Sequence, residues 1–258
     1  MAKKWVKFPH ADKAYVYDAA GLKKSWARLH KGDGEPFPKD ADVLEAWRAF
    51  HAGDFQKAVE AGTAAGGPGI NAAVKAQVVY ANYLETADKA KVDLLSEAAG
   101  MADERRRAEA NDANAQYLYA FALGRYSQGI SVAKALAQGY GGKIKEALST
   151  ALKLNDKHAE AHTGFGAYQA EVIDKVGGLV AGMTYGAKKD SAIEHYEKAM
   201  KLFPESPITH IEYGNGLLML FGKGKIADAT KLYEKAAKLK PADAMERLDV
   251  ELAKSELE

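Results

Sequence analysis

Apolar and small residues recur every three or four positions along much of the chain, most clearly in residues 192–204 and 229–241. Both segments contain an alanine, a tyrosine four positions later, an alanine three positions after that, and a proline five further on. On a helix these spacings place both alanines and the tyrosine on one face. Small residues let a neighbouring helix approach closely, and the proline ends the helix. The pattern predicts two amphipathic helices with packing faces Ala192/Tyr196/Ala199 and Ala229/Tyr233/Ala236.

The remainder of the chain also predicts helices and turns. Alanine is abundant, proline is scarce, and the alternation of polar and β-branched residues that marks strands is hard to find. Gly53-Asp54 predicts a turn inside a first helical hairpin, residues 40–65. Asn111-Asp112 predicts the cap of a later helix. A narrow apolar stripe among charged residues predicts a last helix in residues 242–258.

The two repeated segments resemble the second helix of the tetratricopeptide repeat (TPR). This resemblance implies an all-α fold, a right-handed α-solenoid of about five antiparallel helical hairpins. It divides the chain into an N-terminal arm (1–38), a repeat domain (39–241) and a cap helix (242–258) that seals the last apolar face. In such a repeat, Ala199 and Ala236 are expected to be buried where no larger side chain fits.

Two hairpins are enlarged between their paired helices, at residues 125–143 and 171–190. Both insertions are apolar and glycine-rich, and each contains a glycine–tyrosine pair, with Tyr140 and Tyr185. Hairpins enlarged in this way resemble the TPR-like regulators of microtubule dynamics and the TPR subunits of some periplasmic transport systems. We expect the insertions to touch and to form the functional part of the molecule; a second small core is the alternative. The side chains expected to pack together are Val176, Leu179, Val180 and Met183 against Ile130, Val132 and Leu136.

The arm, residues 1–38, combines an excess of positive charge, including Lys3 and Lys4, with aromatic residues. Five aromatic side chains lie among the basic ones: Trp5, Phe8, Tyr15, Tyr17 and Trp26. Such a mixture can bind single-stranded nucleic acid, because the basic side chains attract the phosphates and the aromatic rings stack on the bases. The alternative, which we favour, is that the aromatic residues anchor the arm on the solenoid while the lysines remain in water. This interpretation predicts that Trp26 is mostly buried.

In a TPR solenoid the first helix of each hairpin lines a concave groove. Transferring the family's groove positions implies a partner-binding site of Tyr117, Phe121, Arg125, Thr163, Glu171, Ile211 and Asn215. In the inserted loops, Tyr140 and Tyr185 are further candidates, because their rings offer a polar tip at the rim. TPR domains that clamp a C-terminal carboxylate carry lysine where this chain has Ile211, so that clamp is not expected. The groove is predicted to be apolar and aromatic, which suits an extended or helical apolar segment.

Two functions are compatible with this groove. The leading prediction is a non-enzymatic protein-interaction module, a scaffold or adaptor that binds a partner segment in the groove. The alternative is a carrier of a small apolar ligand held between the groove and the inserted loops. An apolar cavity closed by the Gly/Tyr loops would favour the carrier, and an open groove would favour the scaffold.

No pattern in the sequence predicts catalysis, a metal or a cofactor. His158 and His162 are four positions apart, but Glu160 lies midway between them, unlike the glutamate of the H-E-x-x-H pattern. The glycine–lysine pairs at 142–143 and 222–223 lack the spacing of phosphate-binding loops.

Composition limits the expected partners and location. The net charge of +1 argues against a chain-wide nucleic-acid surface, so nucleic acid is not an expected partner. The absence of cysteine excludes disulfides and thiolate sites. No stretch approaches the ~20 apolar residues of a membrane span, and no signal-peptide-like run follows the N-terminus. We therefore expect a cytoplasmic protein without a membrane partner, and self-association stays open.

Overall fold

The structure of the protein is a computed structural model that describes residues 5–258. The described part of the chain is helical and contains no strand, as predicted. Its helices are α1 (Ala19–Leu29), α2 (Ala41–Ala52), α3 (Phe55–Ala65), α4 (Gly69–Tyr83), α5 (Asp88–Ala108), α6 (Ala113–Gln128), α7 (Val132–Ala137), α8 (Tyr140–Leu154), α9 (Ala159–Val176), α10 (Gly178–Val180), α11 (Lys189–Leu202), α12 (Pro207–Phe221), α13 (Ile226–Ala237) and α14 (Ala244–Ser255). Single turns of other helix types lie at Lys13–Tyr15, Ala181–Tyr185 and Gly222–Lys225.

The longer helices pair into five hairpins, which confirms the predicted TPR-like solenoid. The pairs are α2/α3, α4/α5, α6/α8, α9/α11 and α12/α13. Side-chain oxygens accept hydrogen bonds from backbone N–H groups at the starts of several first helices, from Asp40, Asp112 and Ser206. These caps satisfy N–H groups that have no partner within the helix, so they fix where each hairpin begins.

Close packing of tyrosine on glycine joins the two helices of the last hairpins. Tyr196 packs on Gly166, and Tyr233 packs on Gly214; a Cβ atom added to Gly214 would lie 2.5 Å from the Tyr233 ring. Ala199 and Ala236 are fully buried, as the repeat pattern predicts. The apolar faces that the sequence predicts in residues 192–204 and 229–241 therefore make the helix contacts of the last two hairpins.

The described part of the arm is anchored on the first two hairpins. Trp26 is 6% exposed and shares a core with Phe8, Leu22 and Trp47, which confirms its predicted burial. Trp5 stacks on Tyr80, with 3.9 Å between ring centroids. Lys3 and Lys4, which contributed to the predicted basic character, lie outside the described residues. The aromatic residues of the arm are used for packing, so they do not form an exposed stacking surface.

The C-terminal helix α14 packs on more than the last hairpin. It contacts α12 and α13, as a cap helix should, but it also contacts α2 of the first hairpin. Ala244 and Leu248 of α14 belong to the same buried cluster as Trp47 of α2. The prediction of a simple end cap is therefore incomplete, because α14 joins the two ends of the solenoid across its concave side.

The inserted segments touch, but not through the apolar residues expected to form the contact. The ring of Tyr185 packs on Gly141, and the Lys145 ammonium group donates a hydrogen bond to the carbonyl oxygen of Tyr185 (2.6 Å). Val176 packs on the core of the fourth hairpin, but most of the other apolar side chains face solvent: Leu179 is 77% exposed and Met183 is 82% exposed. The predicted apolar packing is wrong because single helical turns hold these side chains away from the body. Within residues 5–258, no helix combines the length and apolarity that crossing a membrane requires.

Candidate functional site

A cavity of about 120 Å³ lies between the first helices of the solenoid and α14. Residues of α4, α6, α8, α9, α12 and α14 line it, among them Val79, Phe121, Ile144, Thr163, Glu212 and Met245. By the same measure a single water needs roughly 10–15 Å³, so the cavity has room for several waters or for one side chain of a bound molecule.

Five of the seven predicted groove residues line this cavity: Tyr117, Phe121, Arg125, Thr163 and Glu171. The first three lie on successive turns of α6, and the other two lie on α9. Spacings of four residues place them on one helix face, which is why the repeat positions identify them.

Ile211 and Asn215, the other two predicted groove residues, do not line the cavity. Ile211 is 1% exposed and packs in a cluster that includes Ala253 of α14. Asn215 accepts a hydrogen bond from the hydroxyl group of Tyr233 (2.6 Å). The reason is that α14 covers the concave positions of the last hairpin, and Glu212 lines the cavity from the neighbouring position.

The lining of the cavity is mainly apolar, and one wall carries charge. Tyr117 and Phe121 form an aromatic wall with their rings stacked 5.8 Å apart. Beside them, the Arg125 guanidinium pairs with the Glu212 carboxylate at 2.5 Å. Burial alone would lower the pKa of Arg125, but the Glu212 carboxylate outweighs it and raises that pKa above its ordinary value. A molecule in the cavity therefore meets an aromatic face and a fixed cation.

The cavity opens towards the C-terminal ends of the first helices. Gln128 of α6 lies at this end and is exposed, while the Arg125 side chain is 21% exposed. Gln128 donates a hydrogen bond to Glu171, whose pKa is raised by burial. Arg125 and Gln128 therefore mark the mouth of the cavity.

The opposite end of the cavity is closed by a buried ion cluster around Lys75. The Lys75 ammonium group donates to Asp33 (2.7 Å) and to both oxygens of Glu160 (2.9 and 3.0 Å). Burial opposes charge on Lys75, but the two carboxylates raise its pKa above the ordinary value. The pKa of Asp33 is held well below its ordinary value by Lys75 and His30, which outweigh burial. This ion cluster therefore joins the arm, α4 and α9.

We call residues 30–35 the arm loop; it contacts the starts of several first helices. Its Glu35 carboxylate accepts hydrogen bonds from the side-chain amides of Asn114 (2.5 Å) and Asn71 (3.4 Å). Burial raises the pKa of Glu35 to about 8, with smaller contributions from neighbouring carboxylates. Asn114 also contacts Nε2 of His158 (2.8 Å). From the sequence, this stretch was placed only within the arm, 1–38; the charged Asp33 and Glu35 on either side of Gly34 were the available signal.

The family model for regulator of microtubule dynamics protein 1–3 matches residues 71–258. The chain belongs to this family. The matched range contains every residue that lines the cavity and begins after the first hairpin.

A solved structure supports the same fold. The crystal structure of a thermophilic TPR protein of Thermus thermophilus superposes with a TM-score of 0.59 at 14% sequence identity. The match covers 83% of this chain and 97% of that protein. No curated protein matches the sequence significantly. The TPR-like fold and membership of the regulator of microtubule dynamics family together indicate a protein-interaction role.

The two tyrosines predicted at the rim of the site lie outside the cavity. Tyr140 packs against Tyr126, with ring centroids 5.8 Å apart. Tyr185 packs on Gly141 of the other insertion. The inserted loops therefore touch each other without roofing the cavity, and α14 supplies the cover that the carrier prediction assigned to them.

The two histidines considered as metal ligands have other roles in this member of the family. Nδ1 of His158 accepts a hydrogen bond from the N–H of Ala161 and caps α9 (3.1 Å). Nδ1 of His162 contacts Nδ1 of His195 at 2.8 Å. Among the described residues there is no group of three or more histidine, aspartate or glutamate side chains placed to hold a metal ion.

Proposed function

We propose that the protein is a non-enzymatic interaction module of the microtubule system, whose partner inserts one apolar or aromatic side chain into the cavity. The observation that carries the proposal is the convergence of five predicted groove residues on one cavity whose mouth reaches solvent. The microtubule system is suggested by the description of the family to which the chain belongs.

The size of the cavity favours a side-chain anchor over a whole helix. Since α14 covers the concave positions of the last hairpin, an extended or helical segment has no continuous groove to occupy. Binding energy at protein interfaces concentrates in a few side chains that enter well-packed pockets. The stacked rings of Tyr117 and Phe121 provide an apolar wall for such an anchor.

Arg125 gives the site a polar contact beside this apolar wall. Its guanidinium lies 5.8 Å from the centre of the Phe121 ring and is held by Glu212. A fixed guanidinium at the mouth can donate hydrogen bonds to a backbone carbonyl or a carboxylate of the partner, next to the anchoring side chain.

Filling the cavity tests the proposal without removing any of these groups. Gly124 lines the cavity, and a Cβ atom added there has no heavy atom within 4 Å. In Gly124→Leu the new side chain occupies the anchor's space and also favours the helix over glycine. Gly100→Leu is the matched control, because Gly100 is also helical, is exposed, and has equally open surroundings.

The measurement is recovery of proteins from lysate on the immobilised intact chain, followed by mass spectrometry. We expect a partner that is retained by the wild type and by Gly100→Leu, and that is reduced about tenfold or more by Gly124→Leu. Recovery of the same proteins at the same level with all three chains would contradict the proposal.

A second candidate function is a carrier of a small apolar ligand in the same cavity. The cover that α14 provides through Met245 and Asp249 favours it, because this side of the cavity is closed by the chain itself. Native mass spectrometry of the purified protein distinguishes the two functions. A bound small molecule that is absent from Gly124→Leu would support the carrier, whereas an unliganded chain that still binds its protein partner would support the interaction module.

A further inference from the structure

The segments that follow the first helices of the last three hairpins form one continuous surface. We call it the tip surface; it consists of residues 129–145, 175–189 and 221–226. The first two segments meet where Tyr185 packs on Gly141. The second and third meet at Lys189, whose ammonium group donates to the carbonyl oxygen of Leu220 (2.5 Å) and lies over the Phe221 ring.

The tip surface exposes large apolar side chains. Leu179 and Met183 are 77% and 82% exposed, although most leucine and methionine side chains in folded proteins are largely buried. Five further apolar residues of the surface are at least one third exposed: Val132, Leu136, Val180, Phe221 and Ile226. These side chains lie on three segments that touch one another, and a concentration of exposed large apolar side chains is typical of an interaction site.

Charge on the tip surface has a single sign. The three segments contain eight lysines and neither aspartate nor glutamate. Lys134, Lys188 and Lys223 are exposed and form no ion pair with any described residue. Four carboxylates flank these segments along the chain: Glu146, Asp174, Asp190 and Asp228. Asp174 pairs with Lys175, and Asp228 pairs with Lys225 and Lys231, so the eight lysines outnumber the flanking carboxylates two to one. The occupant that complements this surface is therefore anionic and apolar at once.

We propose that the tip surface binds the surface of a membrane that contains anionic lipids. The glycines at 139, 177, 186 and 222 have positive φ angles and turn the chain at these tips, so the apolar side chains project outward from single turns. Projecting side chains suit a soft, flat surface better than a peptide, which binds in grooves. Leucine, methionine and phenylalanine enter the boundary between headgroups and acyl chains, and lysines beside them contact anionic headgroups.

Binding at a membrane surface departs from the expectation, drawn from the sequence, that the protein has no membrane partner. No partner membrane was expected because no segment is long enough to span a bilayer. Binding at the surface needs only exposed apolar tips with basic neighbours, and their exposure appears only once the chain is folded.

Vesicle binding by the full chain tests the proposal. The probes are vesicles of phosphatidylcholine alone and vesicles that also contain phosphatidylserine, separated by flotation. We expect binding to the anionic vesicles, little binding to the neutral ones, and weakening of the binding as salt is added. Leu179→Ser/Met183→Ser should weaken binding by roughly tenfold or more, because two inserted side chains lose their apolar groups.

The matched control lies at the opposite ends of the helices. Leu154→Ser/Lys157→Glu changes an exposed leucine and an exposed lysine next to the end of α8, and it should leave vesicle binding unchanged. Both double variants alter exposed side chains, so their melting temperatures should match the wild type.

A fluorescent label gives a second readout, since the chain has no cysteine. Met183→Cys and Leu154→Cys each carry one environment-sensitive fluorophore. The label at 183 should shift to the blue with anionic vesicles, and the label at 154 should not.

Three results would overturn the proposal. One is the absence of binding to anionic vesicles. Another is binding that Leu179→Ser/Met183→Ser leaves unchanged, which would indicate contact through charge alone. The third is equal binding to immobilised poly-glutamate with no blue shift at position 183, which would assign the tip surface to an acidic protein partner.

Discussion

The ammonium group of Lys75 is buried between two carboxylates that come from distant parts of the chain. Asp33 lies in the arm loop and Glu160 lies in the first turn of α9. Removing one partner of a buried ion pair leaves the others without compensation, which costs more than the pair itself contributes.

Lys75→Ala should therefore destabilise the protein strongly. We expect a loss of about 3–5 kcal/mol in the free energy of unfolding, measured by urea denaturation. Lys89→Ala is the control, because Lys89 forms an ion pair with Asp93 that is open to solvent, and it should change stability little. Equal effects of the two substitutions would show that the arm loop is not held as described.

His158 makes stability depend on pH. Burial lowers its pKa from 6.5 to about 4 in the folded protein. Between these values the unfolded chain binds a proton that the folded chain does not, so stability falls as the pH falls from 6.5 towards 4. This group contributes about 1.4 kcal/mol per pH unit to that slope.

In His158→Asn the residue before α9 can still cap the helix, but it no longer titrates. The slope of unfolding free energy against pH should decrease by roughly 1 kcal/mol per pH unit in this range. Urea denaturation at a series of pH values measures it, and an unchanged slope would mean that His158 is protonated in the folded protein.

At the scale of helices, the contacts between paired helices follow directly from local spacing. The alanine–tyrosine–alanine faces of α11 and α13 were readable because all three residues lie within one helix. The matching glycines, Gly166 and Gly214, occupy equivalent positions on α9 and α12. The sequence therefore located the alanine–tyrosine side of these contacts, and the structure identifies the glycines opposite it.

Gly214→Ala should disturb one such contact. The added methyl group would lie 2.5 Å from the Tyr233 ring, which has to move, at a cost of roughly 1–3 kcal/mol. Gly100→Ala, in open surroundings on α5, should instead be neutral or stabilise by up to about 1 kcal/mol. Thermal melting of both variants makes the comparison, and a stable Gly214→Ala protein would show that α12 and α13 are farther apart.

Other features of the helices could not be read from spacing. Apolar composition predicted that the insertions pack, but whether Leu179 and Met183 find a partner depends on where the turns point them. The position of Ile211 in the repeat was transferred correctly, yet α14 covers it. Both differences arise because periodicity reports which residues share a face and does not report what lies opposite that face.

At the scale of the molecule, the arm and α14 close the solenoid. Arg28 of α1 forms two hydrogen bonds with the Glu246 carboxylate of α14 (2.6 and 3.0 Å). His51 of α2 contacts Asp243 at 2.8 Å, and the hydroxyl group of Tyr17 donates to the carbonyl oxygen of Ala242 (2.8 Å). These partners are separated by 192 to 225 residues, so no local pattern could have predicted them.

The contacts by which the arm and α14 close the solenoid determine which part of its concave side can bind another molecule. They cover the concave positions of the last hairpin and leave the cavity with its mouth at Arg125 and Gln128. The residues of the candidate site on α6 and α9 were therefore predictable, because they occupy the groove positions of the repeat. Its walls at Lys75 and Asp249 were not predictable, because they depend on contacts that close the molecule.

The pair formed by Tyr83 and Asp249 tests this closure most directly. The Tyr83 hydroxyl of α4 donates a hydrogen bond to the Asp249 carboxyl of α14, 166 residues away, beside the cavity. The measurement is a double-mutant cycle of Tyr83→Phe and Asp249→Ala, with unfolding free energies from urea denaturation. A closed solenoid predicts a coupling energy of about 1 kcal/mol or more between the two residues. Additive effects, with a coupling below about 0.3 kcal/mol, would contradict closure of the solenoid by α14.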